Sequence, residues 1–449
     1  MIPPVRGTRD ILPGEVERWQ LVERVARELC ERYGYVEVRT PILEREELFA
    51  KGTGETTDIV QKEMYSFVDK GGERVVLRPE ATPGVVRAFV EHNLEQTLGH
   101  GKLYTLGPMF RYERPQKGRY RQFHQLNVEA FGVADPAMDA EVIDLAWAIV
   151  TALGIRDVAL LVNSVGDRAC RPAFTRALLQ ALGDNVARLC ADCRRRAATN
   201  PLRIFDCKVP SCQPIIDGLP HAVDYLCDAC RAHFDAVRRR LDAAGIPFAI
   251  SHRLVRGLDY YTRTTFEIVS GALGAQNALA GGGRYDDLVR QLGGPDRPGV
   301  GFAAGLERVV LALPEEARAP RRPPVFVAWV GEEAREPALA LVIELRRRGV
   351  AAETDYEGRS LRAQLRRADR LGAATAVILG GDELARGDVT VRDMATSTQA
   401  SVPRAELLRR LQEQGGTPAP ARPPAGPLHT TAEGVAVPGD DEDEPGGGP

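Results

Sequence analysis

The segment GKLYTLGPMFRYERPQKGRYRQFHQLNVEAFG, Gly101 to Gly132, decides the fold. Its ends, 101–113 and 121–132, read as strands, and Arg114 to Tyr120 reads as a basic loop containing Pro and Gly. Two strands joined by a loop of this size predict an antiparallel hairpin. Arg111 stands between Met109–Phe110 and Tyr112, outside any run of charge, and Gln125 and Glu129 alternate with Leu126 and Val128. Polar groups on a strand face beside a core need partners or a ligand. Lys117, Arg114, Arg119 and Arg121 add positive charge around the loop.

A second stretch, LVRGLDYYTRTTFEI from Leu254 to Ile268, crowds Arg256, Asp259, Tyr260 and Tyr261 beside Gly257. From Thr262 onward it reads as a strand, with Thr264, Phe266 and Ile268 alternating with Arg263, Thr265 and Glu267. Such a polar cluster at a strand mouth suits a binding site. GVGFAAGLERVVLAL reads as a short strand feeding a helix. No Walker A loop and no strand-linked GxGxxG occurs, and AGGGRYDD, 280–287, reads equally as a tight turn or a phosphate contact.

Further out, Trp19, Val22, Val25, Ala26 and Leu29 recur at helical spacing before Gly34, and YVEVRTPIL reads as a strand ending at Pro41. Residues 137–153 and most of 168–250 read as helical. After the Pro- and Arg-rich segment 314–324, VFVAWV, VAAET and TAVILG alternate with helical segments, which predicts a β-α-β-α-β domain with a parallel sheet. DVTVRDM offers a further strand and 403–412 a last helix. The helical segment 359–371 carries Arg359, Arg362, Arg366, Arg367 and Arg370, which suits either a solvated face or phosphate contacts.

The 449 residues carry a net charge of −3, of which residues 415–449, with six acids and one Arg, hold −5. The remainder is near neutral, which argues against a non-specific DNA binder. No long apolar run predicts a membrane span, and MIPPVRGTRDILPGE has no secretory apolar core, so a cytoplasmic location is expected. Six of the eight Cys fall between Cys190 and Cys230. Without a secretory signal, that clustering favours metal ligation over disulfides.

Taken together, FRYERPQKGRYRQFHQLNVEAFG resembles motif 2 of the class II aminoacyl-tRNA synthetases in its histidine-specific form. GYVEVRTPILE is similar to motif 1 and GVGFAAGLERVVLAL to motif 3, with Arg308 as its arginine. RGLDYY and the opening RGTRDILP resemble signatures of histidyl-tRNA synthetases, so the likeness spans about residues 2–412. It implies an α/β fold: an antiparallel class II sheet flanked by helices, a helical insertion and an α/β anticodon-binding domain. The expected boundaries are 1–167 with 251–318 for the catalytic core and 168–250 for the insertion. A linker follows at 319–324, the anticodon-binding domain at 325–412 and a disordered tail at 413–449.

The resemblance also implies roles. Arg256 and Arg111 would be the catalytic cations at the α-phosphate of ATP, and both would also contact histidine. Glu113 and Phe123 would hold adenine, and Arg119 and Arg308 the outer phosphates, with Mg2+ accompanying the nucleotide. Glu80, Thr82 and Gln125 would hold the α-amino group of histidine, with Ala81 contributing backbone. Glu129 and Tyr261 would take the imidazole, and Tyr260 would line its pocket. Many relatives carry Gly and Ala at the positions of Ala81 and Pro83 in RPEATP, and Pro83 here threatens the local turn. Histidine, ATP, tRNA(His) and a second copy of the chain are the implied partners. Cys190, Cys193, Cys227 and Cys230, two Cys-x-x-Cys pairs, are the expected ligands of a structural zinc, with Cys207 and Cys212 as further candidates. A regulatory relative that lacks catalysis and a catalytically dead RNA-binding protein are competing readings. The intact Arg111, Glu129, Arg256 and Arg308 argue against both.

Overall fold

Gly101–Phe110 and Gln122–Phe131 pair antiparallel, in register from Gly101 opposite Phe131 to Phe110 opposite Gln122. This hairpin lies within the larger of two compact units into which the computed structural model divides, between residues 320 and 321. The structure describes residues 2–55, 57–99, 101–319 and 324–415. The tail from 416 and residues 320–323 of the expected linker lie outside them.

Among the described residues the first unit holds an eight-stranded sheet. Its strands are β1 Val36–Glu37, β2 Gly101–Phe110, β3 Gln122–Phe131, β4 Val158–Ser164, β5 Phe248–Ile250, β6 Thr262–Ser270, β7 Ala278–Arg284 and β8 Gly299–Gly305. The order is β1-β2-β3-β8-β7-β6-β4-β5, antiparallel from β2 through β4 and parallel only at the two edges. Helices α1 Val16–Arg32 and α2 Thr82–Glu91 come first in the chain, and α3 Pro136–Ala152 follows the hairpin. The apolar stripe of α1 (Trp19, Val22, Ala26, Leu29) packs with Val142, Ile143, Leu145 and Ile149 of α3 and with Val128 and Phe302 of the sheet in one core. Asp135 caps α3 by accepting a hydrogen bond from the Ala137 N–H at 2.7 Å.

Two stretches fold differently from their sequence reading. YVEVRTPIL is not one strand: only Val36–Glu37 joins the main sheet, and Leu43–Arg45 pairs in a separate three-stranded sheet. Pro41 between them has no N–H to continue a ladder. AGGGRYDD is not a tight turn, because Ala278–Arg284 is the interior strand β7. Its glycines let backbones close up; a Cβ on Gly282 would collide with the Gly301 carbonyl and the Phe302 backbone.

The insertion folds as short α and 3-10 segments, among them α4 Ala191–Thr199, around its own apolar cluster of Phe174, Leu178, Leu182, Leu189, Ile204 and Ile216. It leaves through α5 Asp228–Ala243, which packs back on the main core through Phe234, Val237 and Leu241. Motif 3 supplies β8 and then α6 Leu306–Ala312. Pro83, where a disturbed turn was expected, sits in the first turn of α2. An N–H there has no partner within the helix, so proline is tolerated.

The second unit is a five-stranded sheet among the described residues: β9 Val325–Trp329, β10 Ala352–Thr354, β11 Thr375–Leu379, β12 Asp388–Asp393 and β13 Gln399–Pro403. β10, β9 and β11 are parallel, as the alternating pattern predicts, and β12 and β13 add an antiparallel hairpin. Before and within α7 Leu361–Arg370, Arg359 and Arg367 each lie 3.7 Å from buried Asp355. Arg362, Arg366 and Arg370 are exposed at i, i+4 and i+8, on one face.

One buried ionic knot ties the first unit together. Arg284 at the end of β7 is fully buried (0%) and donates through Nε to Asp139 of α3 at 3.0 Å. His233 Nε2 of α5 lies 3.0 Å from the same carboxylate. Burial opposes ionisation of Asp139, but His233 and Arg284 overcome it and hold the carboxyl below its usual range. Removing Asp139 leaves the buried guanidinium only the partly exposed Asp286 carboxylate as an ionic partner. Asp139→Ala should therefore destabilise the protein by about 3–5 kcal/mol. A urea-unfolding midpoint close to that of the unaltered chain would show that the knot is not needed for stability.

Candidate active site

A cavity of about 240 Å³ opens against the sheet. Glu80, Thr82, Arg111, Glu113, Arg119, Phe123, Gln125, Glu129, Arg256, Tyr260, Tyr261 and Arg308 all line it. Ala81 does not: it is fully buried at the start of α2, in the apolar cluster with Val85 and Phe89. The residues arrive from distant parts of the chain for simple reasons. Phe123, Gln125 and Glu129 share one face of β3 by its two-residue period. Glu80 and Thr82 stand at the entry of α2, and Arg308 lies in the first turn of α6. Arg256, Tyr260 and Tyr261 precede β6.

One end of the cavity is built on carboxylates. Glu129 is 1% exposed and accepts hydrogen bonds from Thr82 Oγ1, at 2.6 Å, and from the Tyr285 hydroxyl. Burial pushes its pKa up to about 8 despite those bonds. Glu80 accepts from Thr53 Oγ1 at 2.5 Å and from the Tyr260 hydroxyl at 3.0 Å, and burial raises its pKa as well. Gln125 Oε1 and Asn127 Oδ1 are buried acceptors without a donor. Both amides line the cavity, which thus offers acceptors to a cationic, multiply donating ligand.

The other end is built on arginines. Arg111 donates through Nε to the Pro79 carbonyl at 2.8 Å and lies 5.3 Å from the centre of the Phe123 ring. Arg119 pairs with Glu113. Arg308 donates to the Gly118 and Ala278 carbonyls, each at 3.2 Å. Arg256 donates to Glu267 at 2.7 Å, while its buried Nε has no acceptor. Burial, then the charge of Arg119, lower the pKa of Arg308; Glu267 pulls the other way, and Arg111 and Arg256 add smaller downward pushes. Four guanidiniums thus gather close enough for Arg308 to feel the other three, which concentrates positive charge at this end of the cavity.

The family model described as "Histidyl-tRNA synthetase" matches residues 7–309, and the one described as "Anticodon binding domain" matches residues 324–414. The chain belongs to the histidyl-tRNA synthetase family. It is 52% identical over 402 residues to the histidine--tRNA ligase of Geobacter metallireducens, covering 90% of this chain and 97% of that one. It is 52% identical over 417 residues to that of Geobacillus kaustophilus, covering 92% and 98%. The crystal structure of apo S. aureus histidyl-tRNA synthetase superposes with a TM-score of 0.78 at 36% identity, covering 91% of this chain and 99% of that one. The resemblance drawn from the motifs thus stands, as does the fold of a histidyl-tRNA synthetase.

Sequence reasoning missed several members of the site. Asn127 has the same phase on β3 as Gln125 and Glu129, so the alternation signalled it. Glu267 shares its phase on β6 with Arg263 and Thr265, a signal of the same kind. Tyr285 follows the glycine run, and nothing local connects it to Glu129, 156 residues away. Thr53 lies in an irregular helical turn with no pattern to flag it.

The expected zinc site must be corrected. Its two Cys-x-x-Cys pairs do not meet: Cys190 and Cys193 gather with Cys207 and Cys212, whereas Cys227 and Cys230 gather with Asp167 and Cys170. The reason is packing. Cys193, Cys207 and Cys212 belong to the insertion's own apolar cluster, while Cys170 and Cys230 belong to the main core on which α5 packs.

The arginine end makes a test possible without any chemistry. Tripolyphosphate should raise the melting temperature, since a ligand held only by the folded state stabilises it. Arg308→Ala should remove most of that shift. An equal shift in both proteins, read by scanning fluorimetry, would place the anion elsewhere.

Proposed function

We propose that this cavity performs both steps of a histidine–tRNA ligase. The carrying observation is that one cavity joins a carboxylate-lined end to a four-arginine end. A carboxylate oxygen of histidine attacks the α-phosphorus of ATP, and pyrophosphate leaves with the electrons of the broken P–O bond. The terminal ribose hydroxyl of tRNA(His) then attacks the adenylate carbonyl carbon, and AMP leaves.

Negative charge concentrates on the α-phosphate in the first step. Arg256 and Arg111 stabilise it as fixed donors in a dehydrated site. Glu267 holds Arg256 in place through its 2.7 Å bond. Arg119 and Arg308 hold the outer phosphates, and Phe123 and Glu113 hold adenine. Mg2+ accompanying the nucleotide would neutralise phosphate charge, and Glu113 and Glu267, the carboxylates paired with Arg119 and Arg256, would be the oxygen ligands at hand to hold it. Glu80, Thr82 and Gln125 take the α-ammonium, Asn127 adds another acceptor, and Glu129 with Tyr261 takes the imidazole. Buried partners for both ring nitrogens would reject analogues lacking them by roughly 10⁴–10⁵. The second unit reads the anticodon stem, with Arg362, Arg366 and Arg370 meeting phosphates. The enzyme works in the cytoplasm as a homodimer.

Arg256→Ala should slow histidine-dependent ATP–pyrophosphate exchange by roughly 10²–10³, as for loss of one transition-state donor. Arg256→Lys should restore only part of the rate, because an ammonium lacks the planar fork. Near-normal exchange in the alanine variant, with melting unchanged, would leave Arg256 only its ion pair with Glu267.

The raised pKa of Glu129 sets a pH dependence. In the complex a single proton lies between its carboxyl and the imidazole. Below about pH 6.5 free imidazole carries a proton that must leave on binding. Above about 8 free Glu129 has lost its own and binding must take one up. KM for histidine should be lowest between these values and rise about tenfold per pH unit above the upper one. In Glu129→Gln the KM should be far higher and that upper limb absent, with KM for ATP little changed. A limb persisting near pH 8 in the variant would assign it to another group.

A further inference from the structure

The two cysteine clusters are separate, and each has the construction of a metal site. We propose that this chain binds two tetrahedral, zinc-type ions, one on Cys190, Cys193, Cys207 and Cys212 and one on Asp167, Cys170, Cys227 and Cys230.

In the first cluster the four Sγ atoms all lie within 4.8 Å of one another. Cys190 and Cys207 sulfurs are 3.9 Å apart. Four sulfurs at about 2.3 Å from a central ion stand about 3.8 Å from each other. A disulfide needs about 2.05 Å, and all eight cysteines are free. The spacing Cys-x2-Cys-x13-Cys-x4-Cys follows the paired arrangement of structural zinc sites. Backbone donors already point at the sulfurs: Cys190 N–H reaches Cys212 Sγ at 3.2 Å, and Val209 N–H reaches Cys207 Sγ at 3.4 Å. The surrounding insertion is made of short α and 3-10 turns around its own small apolar cluster, which an ion at this cluster would cross-link.

The second cluster repeats the design. Cys227 immediately precedes α5 with an extended backbone, as Cys190 precedes α4, and in each pair the second cysteine is fully buried. Asp167 N–H donates to Cys170 Sγ at 3.3 Å, and its carboxylate replaces the fourth thiolate. The two halves come from different elements, the loop after β4 and the start of α5. An ion here would staple the insertion's exit helix to that loop. The same loop supports the cavity: Arg263 N–H donates to the Gly166 carbonyl at 2.8 Å, and Arg171 donates to the carbonyl of Tyr261. Binding exchanges each S–H proton for a bond to the ion, so every ligating cysteine releases one proton.

The full chain, purified with reductant and without chelator, should contain about two zinc ions per chain by elemental analysis. Cys193→Ser with Cys212→Ser should retain about one, and Cys227→Ser with Cys230→Ser about one. Cobalt(II) in place of zinc should give sulfur-to-metal charge-transfer bands in the unaltered protein, weaker when only the three-thiolate site remains. Should a variant not fold, titration of the unaltered chain with an organomercurial, read by a chromogenic zinc chelator, should release two ions in two steps. Folded, reduced protein without zinc overturns the proposal. So does loss of all metal from either folded variant, because that result means one shared site.

Discussion

The active site rests on glycines facing charged groups across the sheet. Gly301 on β8 stands directly opposite Glu129 on β3, and Gly281 on β7 stands opposite Glu267 on β6. A Cβ on Gly301 would collide with the Glu129 carboxylate, and one on Gly281 with the Arg256 guanidinium. Both charged groups lie over strand backbone where a side chain would ordinarily stand. Without those two vacant positions there is no floor to the cavity and no room for either group. The cost is borne by a sheet interior with little side-chain packing of its own around Gly281, Gly282 and Gly283. The apolar core on the other face, with α1 and α3 laid over it, and the buried Arg284–Asp139–His233 knot supply the rigidity those glycines give up.

That rigidity matters because the cavity gathers like charges. Four arginines gather near one another, and two buried carboxyls are forced upward in pKa a short way along the same cavity. Neither arrangement relaxes on its own, since each arginine is anchored through a carbonyl or a carboxylate: Pro79 for Arg111, Gly118 and Ala278 for Arg308, Glu267 for Arg256, Glu113 for Arg119. A site held open against its own repulsion is preorganised for a ligand with an anionic end and a cationic end.

The insertion enters this design at its edge. Asn200 donates to Asp259 at 2.7 Å, and Arg196 and Arg203 reach Asp58 at 3.2 and 3.6 Å. Asp259 belongs to the stretch that carries Arg256, Tyr260 and Tyr261, so the insertion buttresses the loop that brings those three side chains to the cavity. The carboxylate of Asp259 faces the insertion's amide.

Local pattern was enough for much of this. The two-residue period of β3 placed Phe123, Gln125 and Glu129 on one face, and the helical stripe of α1 and the alternation in the second unit named their elements, because those signals depend only on neighbours in the chain. Motif resemblance then connected Glu80, Arg111, Arg256 and Arg308 to one cavity. Other features needed the third dimension. Tyr285 reaches Glu129 only through the pairing of β3, β8 and β7, and the glycine run of β7 reads equally as a turn or a phosphate contact until its partners on both sides are known. Ala81 has the right neighbours in sequence, yet its side chain is buried under α2. The cysteines show the difference most plainly. Their spacing announced metal chemistry, but equal Cys-x-x-Cys pairs carry no mark of which partners they will meet. That was decided by which apolar core each helix joins, a choice made by burial over the whole chain and not by the few residues around each sulfur.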